Sequence, residues 1–219
     1  KTVYYSVKKK DCQVFAAEIE NGENSVSFTV NYPGGRISAV VNCPGEHNVK
    51  NALAAFCVGL ELGIEPEEIV RGIAEYRPEG MRQNITEKNG IKFILDCYNA
   101  APDSMKASLA VLAQTHTDGR KYAVLGDMLE LGKNSRQYHR TVGKYAAASD
   151  ADMLLCYGEN SAYYIEGAVQ SGFSEDSCRL FSDRKELRVC QEKILEKGDT
   201  VLVKGSRGMR LEEVVNGLE

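Results

Sequence analysis

The chain has 219 residues, 43% of them hydrophobic and 26% charged, and its formal net charge is −4. This length suffices for one large or two small domains with cores, and the acidic balance argues against a nucleic-acid binder, which usually has a basic face. The longest apolar runs fall short of the roughly 20 residues that cross a membrane.

The cysteine and histidine patterns exclude two further classes of site. The seven cysteines are odd in number and none forms a Cys-x-x-Cys pair, which is typical of reduced thiols in a cytoplasmic protein. His47, His116 and His139 lie too far apart for metal-ligand spacing, so no metal site is predicted from them. Because the sequence begins at Lys1 with strand-like residues and no initiator Met, we expect a piece of a longer protein.

The first part of the chain predicts strands followed by two helices. Short β-branched or aromatic runs predict strands over 2–7, 13–20, 25–30 and 36–42. Apolar residues at helical spacing predict a helix over about 48–62, and Pro66 begins a second helix that ends near Tyr76.

A break at Arg77-Pro78-Glu79-Gly80 predicts a domain boundary, after which a hairpin forms around Asn89-Gly90. Apolar strands then alternate with helices, which predicts an α/β, Rossmann-like domain with a mostly parallel sheet and helices on both faces. The predicted strands cover 84–87, 91–95, 122–126, 153–157, 179–181 and 200–203, and the predicted helices cover about 103–115, 135–149, 160–171, 183–196 and 209–217.

The segment Asp96-Cys97-Tyr98-Asn99-Ala100-Ala101-Pro102-Asp103-Ser104-Met105 links a buried strand to a helix. In open α/β sheets such turns line the crevice where ligands bind, and an Asp there can accept hydrogen bonds from ribose hydroxyls. The alternative is that Asp96 caps the helix and Tyr98 packs.

Two other polar groups precede this turn. Asn48 and Asn51 share one face at the start of a helix, and their amides could complement an adenine edge; alternatively Asn48 is a helix cap and Asn51 a solvated residue. Arg82 follows the linker and suits phosphate or ribose, unless it is simply solvated.

Two later turns lie at the same predicted edge of the sheet. Gly126-Asp127-Met128-Leu129-Glu130-Leu131-Gly132 is no dinucleotide fingerprint, and His139 on the next helix is interpreted as a packing or hydrogen-bonding group. Lys204-Gly205-Ser206-Arg207-Gly208-Met209-Arg210 suits an anion, or is an exposed basic loop. The sequence contains no P-loop.

Together these segments resemble the Mur ligases of bacterial cell-wall synthesis. The carrying residues are Gly45 to Ala55, Asp96 to Met105, Gly126 to Gly132 and Val203 to Arg207. Within the family, the Tyr-Asn-Ala and Gly-Asp-Met-x-Glu-Leu-Gly signatures indicate the member that joins D-alanyl-D-alanine to UDP-N-acetylmuramoyl-tripeptide.

The resemblance implies an ATP-dependent ligase that works through an acyl phosphate. Residues 1–78 would be the last part of a central ATPase domain, and residues 79–219 a complete C-terminal ligase domain. The family's phosphate-binding loop, carbamylated lysine and main Mg²⁺ ligands would lie upstream, so this chain alone is expected to be inactive.

The resemblance also implies roles for particular residues. Asn48 and Asn51 would hold adenine, and Arg82 and Asp96 would contact the ribose or phosphates. Tyr98, Asn99, Ser206 and Arg207 would line the pocket for the acceptor dipeptide. No catalytic side chain and no metal ligand is assigned within this chain. One departure is Ala101, where the family usually has Asn.

Two alternatives stay open from the sequence. One is a related Mur or folylpolyglutamate-type ligase, which a comparison of acceptors would identify. The other is a non-catalytic nucleotide- or peptide-binding module, favoured by the missing P-loop. The coding frame upstream of Lys1 would distinguish a ligase from a binding module, because a Gly-Lys-Thr loop there favours the ligase. We expect a cytoplasmic protein that is monomeric at full length and has no membrane span.

Overall fold

The structure, a computed structural model, describes residues 2–22, 24–78 and 80–217. The chain divides into two compact units, Lys1–Pro78 and Glu79–Glu219. The division falls within the Arg77–Gly80 segment, of which Glu79 lies outside the described residues.

The first unit is a four-stranded sheet covered by two helices. The sheet has the order β1-β2-β3-β4, with β1 parallel to β2 and the other neighbours antiparallel. The strands are β1 (Tyr5–Ser6), β2 (Val14–Asn21), β3 (Val26–Tyr32) and β4 (Gly35–Val41), and the helices are α1 (Glu46–Glu61) and α2 (Pro66–Glu75). The predicted first strand over 2–7 is wrong in extent, because only Tyr5 and Ser6 pair with β2.

The apolar stripe of α1 explains why this unit folds. Val49, Leu53 and Phe56 recur at helical spacing and are fully buried against the sheet. Phe28 of β3 and Ile69 of α2 belong to the same core.

The second unit is a six-stranded sheet with helices on both faces, as predicted. Its elements in chain order are β5 (Asn84–Lys88), β6 (Ile91–Asp96), α3 (Pro102–Gln114), β7 (Lys121–Gly126), α4 (Ser135–Ala147), β8 (Met153–Tyr157), α5 (Ala162–Val169), β9 (Cys178–Phe181), α6 (Arg184–Ile194), β10 (Thr200–Lys204) and α7 (Glu212–Asn216). The sheet order is β5-β6-β10-β7-β8-β9. Only β5 is antiparallel to its neighbour, so the sheet is mostly parallel.

Alternating side chains of each strand supply two cores. Ala123 and Leu125 of β7 pack with α3, α4 and α5 on one face, whereas Tyr122 and Val124 pack with α6 and α7 on the other. The helix predicted over 209–217 is shorter, since Arg210 has a left-handed backbone (φ 50°) that separates the 3₁₀ turn Arg207–Met209 from α7.

Candidate functional site

Three neighbouring strands of the second unit end side by side at the carboxyl edge of the sheet. Strand β10 lies between β6 and β7, so the ends of these strands, Asp96, Lys204 and Gly126, are adjacent. This order brings the predicted turns after Asp96, Lys204 and Gly126 to one edge, where open α/β sheets bind ligands.

Asp96 is held by a buried lysine and a serine. The ammonium of Lys204 lies 2.6 Å from Oδ2 of Asp96, and the Ser108 hydroxyl donates to the same oxygen at 2.5 Å. Lys204 is 1% exposed and the Asp96 side chain 14%. The alternative that Asp96 caps α3 is wrong, because Ala101 is the N-cap residue of that helix.

The sequence did not indicate this partnership. It placed Lys204 among the cations of an anion-binding loop, whereas the structure directs Lys204 inward to Asp96. Lysine is rarely buried unless it is paired, so a strand-end lysine is normally expected to face solvent. Ser108 carried no sequence signal beyond its position on α3, one turn after Ser104. The carbonyl oxygen of Ser104 lies 3.0 Å from the Ser108 hydroxyl oxygen.

Tyr98 and Arg82 form a stacked pair on the Asp96 turn. The guanidinium carbon of Arg82 lies 4.0 Å from the centre of the Tyr98 ring, a cation–π geometry. Tyr98 is 49% exposed, so it is not a core residue. Asn99 is exposed, and its Oδ1 accepts from the backbone N–H of Ala100 at 2.8 Å. Arg82 and Tyr98 are therefore presented together to solvent.

Ser206 and Arg207 follow the neighbouring strand. Ser206 is 6% exposed, and its Oγ accepts from the Leu129 backbone N–H at 2.9 Å, which leaves its hydroxyl hydrogen free to donate. Arg207 donates to Glu212 Oε1 at 2.5 Å and contacts the Met81 sulfur at 3.0 Å. Arg207 thus reaches the residue that precedes Arg82, on the same rim.

His139 stabilises the loop Gly126–Gly132 through a hydrogen bond to its backbone. Its Nε2 accepts from the Met128 backbone N–H at 3.1 Å, and its Nδ1 lies 2.8 Å from the Ser135 carbonyl oxygen, so the proton is assigned to Nδ1. The Asp127 carboxylate lies 3.7 Å from Nε2, but no ion pair forms because that nitrogen carries no proton. Burial lowers the pKa of His139 below its ordinary value of 6.5. The interpretation of His139 as a hydrogen-bonding group is confirmed.

Two other groups near this edge of the sheet, the Asp127 carboxylate and the Cys97 thiol, are not available for chemistry. Asp127 is buried, and its carboxylate accepts from the Ser161 hydroxyl at 2.7 Å and the Asn160 backbone N–H at 3.0 Å, which ties it to the start of α5. Burial raises the pKa of the Cys97 thiol to about 12, so this thiol stays protonated at neutral pH.

The first unit has an apolar cavity beside the two asparagines. Its volume is about 440 Å³, within the range of small-molecule sites. Its lining includes Val41, Asn48, Asn51, Ile69, Gly72 and Tyr76.

Asn48 and Asn51 have different surroundings in this cavity. Asn48 is buried, and its Nδ2 donates to the Pro44 carbonyl at 2.8 Å and to the Cys43 sulfur at 3.0 Å. Asn51 is exposed and donates to Oδ1 of Asn48 at 3.4 Å. The alternative that Asn48 caps α1 is wrong, because the N-cap residue is Gly45.

The described residues hold no cluster of three or more His, Cys, Asp or Glu side chains that could bind a metal ion. Among these residues there is also no helix long and apolar enough to cross a membrane. All seven cysteines are free thiols.

Both parts of the chain match models of one protein family. Residues 81–207 match the model described as "Mur ligase, glutamate ligase domain", and residues 1–59 match the "Mur ligase middle domain". The chain is 35% identical over 202 residues to the UDP-N-acetylmuramoyl-tripeptide–D-alanyl-D-alanine ligase of Bacillus subtilis (strain 168), covering 92% of this chain and 44% of that protein.

Solved structures give the same result for the fold. MurF from Acinetobacter baumannii aligns with a TM-score of 0.86 and 30% identity, over 99% of this chain and 46% of that one. The MurF ligase from Thermotoga maritima in complex with ADP aligns with a TM-score of 0.79 over 98% of this chain and 47% of that one, and at 23% identity it shows the fold alone. The chain spans less than half the length of these relatives.

Proposed function

The chain belongs to the Mur ligase family, and on that premise we propose that it is the later portion of an ATP-dependent ligase. The proposed ligase joins D-alanyl-D-alanine to UDP-N-acetylmuramoyl-tripeptide in peptidoglycan synthesis. The observation that carries this choice is the 35% identity, over 92% of this chain, to a relative named for that reaction.

The cavity of the first unit is proposed to take the adenine base of ATP. Its apolar walls suit the faces of a purine, and the Asn51 amide at its rim offers both a donor and an acceptor to the base edge. Asn48 would contribute by holding Asn51, since the Asn48 amide bonds to Asn51 and to the Pro44 carbonyl.

The Asp96 turn of the second unit is proposed to contact the ribose and phosphates. Asp96 has one carboxylate oxygen engaged by Lys204 and Ser108, and the other would accept from ribose hydroxyls. Arg82 lies on the same rim, stacked on Tyr98, and its permanent positive charge suits a phosphate.

The acceptor dipeptide is proposed to bind along Tyr98, Asn99, Ser206 and Arg207. A dipeptide carries a carboxylate, for which the Arg207 guanidinium and the Ser206 hydroxyl supply donors. These residues follow the ends of the adjacent strands β6 and β10, so one small ligand can reach both groups.

The reaction needs no nucleophilic side chain from this portion. The tripeptide carboxylate attacks the γ-phosphate of ATP, which gives an acyl phosphate and ADP. The dipeptide amine then attacks the acyl carbon, phosphate leaves, and the amine loses a proton as the amide forms. Positioning and charge stabilisation supply most of such catalysis, and Arg82 and Arg207 would contribute positive charge to both.

The described residues include no cluster of three or more His, Cys, Asp or Glu side chains that could hold Mg²⁺ by itself. The family's Mg²⁺ ligands are expected upstream. We also propose that the full-length enzyme is cytoplasmic and monomeric and binds no nucleic acid.

The experiment uses the full-length enzyme, meaning this chain with the residues that precede it in the coding frame. ADP release is measured with UDP-muramoyl tripeptide and either D-alanyl-D-alanine or single amino acids as acceptors. We expect the full-length enzyme to turn over when the acceptor is D-alanyl-D-alanine but not when it is a single amino acid. We expect no turnover from the isolated 219-residue chain. Turnover that needs another acceptor would favour a related ligase, and a stop codon directly before Lys1 would favour a binding module.

A second measurement tests the base cavity. Gly72 lines this cavity, and a Cβ added there meets nothing within 4 Å, so position 72 accepts a Cβ without a clash and we expect the side chain of Gly72→Leu to occupy part of the cavity. We expect the KM for ATP to rise about tenfold, as for the loss of a contact worth 1.4 kcal/mol, while Gly72→Ala changes it little. An unchanged KM in the Leu variant would exclude nucleotide binding in this cavity.

A further inference from the structure

Lys204 lies almost wholly inside the second unit, at the carboxyl end of the central strand β10. Its ammonium has three acceptors: Asp96 Oδ2 at 2.6 Å, the Asn99 carbonyl oxygen at 3.1 Å and the Asp96 carbonyl oxygen at 3.4 Å. A lysine ammonium has three N–H donors, so every donor is matched. Since an unpaired buried charge is strongly unfavourable, these contacts hold Lys204 in one position.

The same contacts make the two carboxylate oxygens of Asp96 different. Oδ2 receives both the Lys204 ammonium and the Ser108 hydroxyl. Oδ1 has no hydrogen-bond partner in the part of the chain that the structure describes. One oxygen therefore fixes the side chain, and the other is left for a ligand.

We infer that Lys204 is a positioning residue for nucleotide binding, and this inference rests on the proposed role of Asp96. By holding Oδ2, Lys204 presents Oδ1 to the ribose hydroxyls. Its charge also offsets that of the carboxylate, which would otherwise repel the phosphates of the same nucleotide. Lys204 touches no ligand in this arrangement and acts through Asp96.

The test is a double-mutant cycle in the full-length enzyme, with the KM for ATP as the readout. The variants are Asp96→Asn, Lys204→Met and the double variant. We expect each single change to raise the KM about tenfold or more, the range for losing a charged hydrogen bond. Because Lys204 acts through Asp96, the KM of the double variant should exceed the higher of the two single-variant KM values by no more than about threefold.

Lys121→Met is the matched control, because Lys121 begins β7 at the opposite edge of the same sheet and donates to the Ala113 carbonyl. Its KM for ATP should match that of the unmodified enzyme. If Lys204→Met fails to fold, Lys204→Gln takes its place in the cycle with Asp96→Asn, because it also removes the ammonium that holds Oδ2 but keeps a polar side chain.

The outcomes separate this inference from the proposed function. If the fold-increase in the KM of the double variant equals the product of the two single-variant increases, Lys204 acts independently of Asp96, which overturns the inference. A raised KM in Asp96→Asn with an unchanged KM in folded Lys204→Met overturns the inference alone. An unchanged KM in Asp96→Asn removes the nucleotide role of Asp96 itself, and the inference with it.

Discussion

Ala101 begins α3 without a side chain that can accept a hydrogen bond. Its backbone is extended (φ −142°, ψ 157°), as N-cap residues usually are, and the Ser104 hydroxyl accepts from its N–H at 3.0 Å. Asn is among the best N-cap residues, and the family resemblance of the sequence implies Asn at this position. Ala101 therefore leaves α3 without a side-chain cap.

Ala101→Asn should stabilise the second unit by about 1 kcal/mol, because the new side chain can accept from the free N–H groups of the first turn. The measurement is the free energy of unfolding in urea. Ala101→Leu is the control, since Leu adds bulk without an acceptor and ranks low at N-caps. Equal stabilities of the Asn and Leu variants would contradict the capping role.

At the level of single residues, the sequence predicts the site residues that directly follow a strand. It does not predict the residues that form hydrogen bonds with them. Asp96 and Tyr98 stand out because polar residues there follow an apolar strand. Lys204 and Ser108 do not, because their importance depends on β10 lying beside β6, a tertiary fact with no local pattern.

Among the elements, α4 and α5 cross with unusually close backbones. A Cβ added to Gly143 of α4 would overlap the Tyr164 carbonyl oxygen, and a Cβ added to Gly167 of α5 would overlap the Arg140 carbonyl oxygen. Each glycine therefore faces the backbone of the other helix. Glycine weakens a helix by about 1 kcal/mol relative to alanine, so close approach is the physical reason for these residues.

Gly143→Ala should lower the free energy of unfolding of the second unit by about 1–3 kcal/mol, the range for overpacking, although alanine is the better helix former. Lys144→Ala is the matched control on the same helix, because Lys144 is exposed. Thermal unfolding of both variants checks this. A Gly143→Ala protein as stable as the control would mean that the helices separate without cost.

Element types were predictable from the sequence to a large extent, whereas their arrangement was not. The Asn89-Gly90 turn is an example of success: both residues have left-handed backbones (φ 55° and 76°), as a tight hairpin turn requires, and β5 pairs with β6 as predicted. Strand order is the counterexample. Periodicity identifies β10 as a buried strand, but its place between β6 and β7 depends on packing of distant segments.

At the scale of the whole molecule, each unit has its own hydrophobic core. One cluster, which includes Val26, Leu53 and Phe56, draws only on the first unit. Two others, which include Leu202 and Val203 on opposite faces of β10, draw only on the second unit. A unit with its own core can in principle fold alone, so we expect two cooperative units.

Phe56→Ala should therefore destabilise the first unit alone. Phe56 is fully buried and meets Tyr32 edge-on, with ring centres 5.4 Å apart, so the truncation should cost about 3–5 kcal/mol. Native-state hydrogen exchange is the measurement: amides of β2–β4 and α1 should exchange faster, while those of β7 and β10 stay unchanged. Leu202→Ala is the reciprocal variant and should loosen only the second unit. If either substitution speeds exchange equally in both units, the chain unfolds as one cooperative body, and the two cores are energetically a single one.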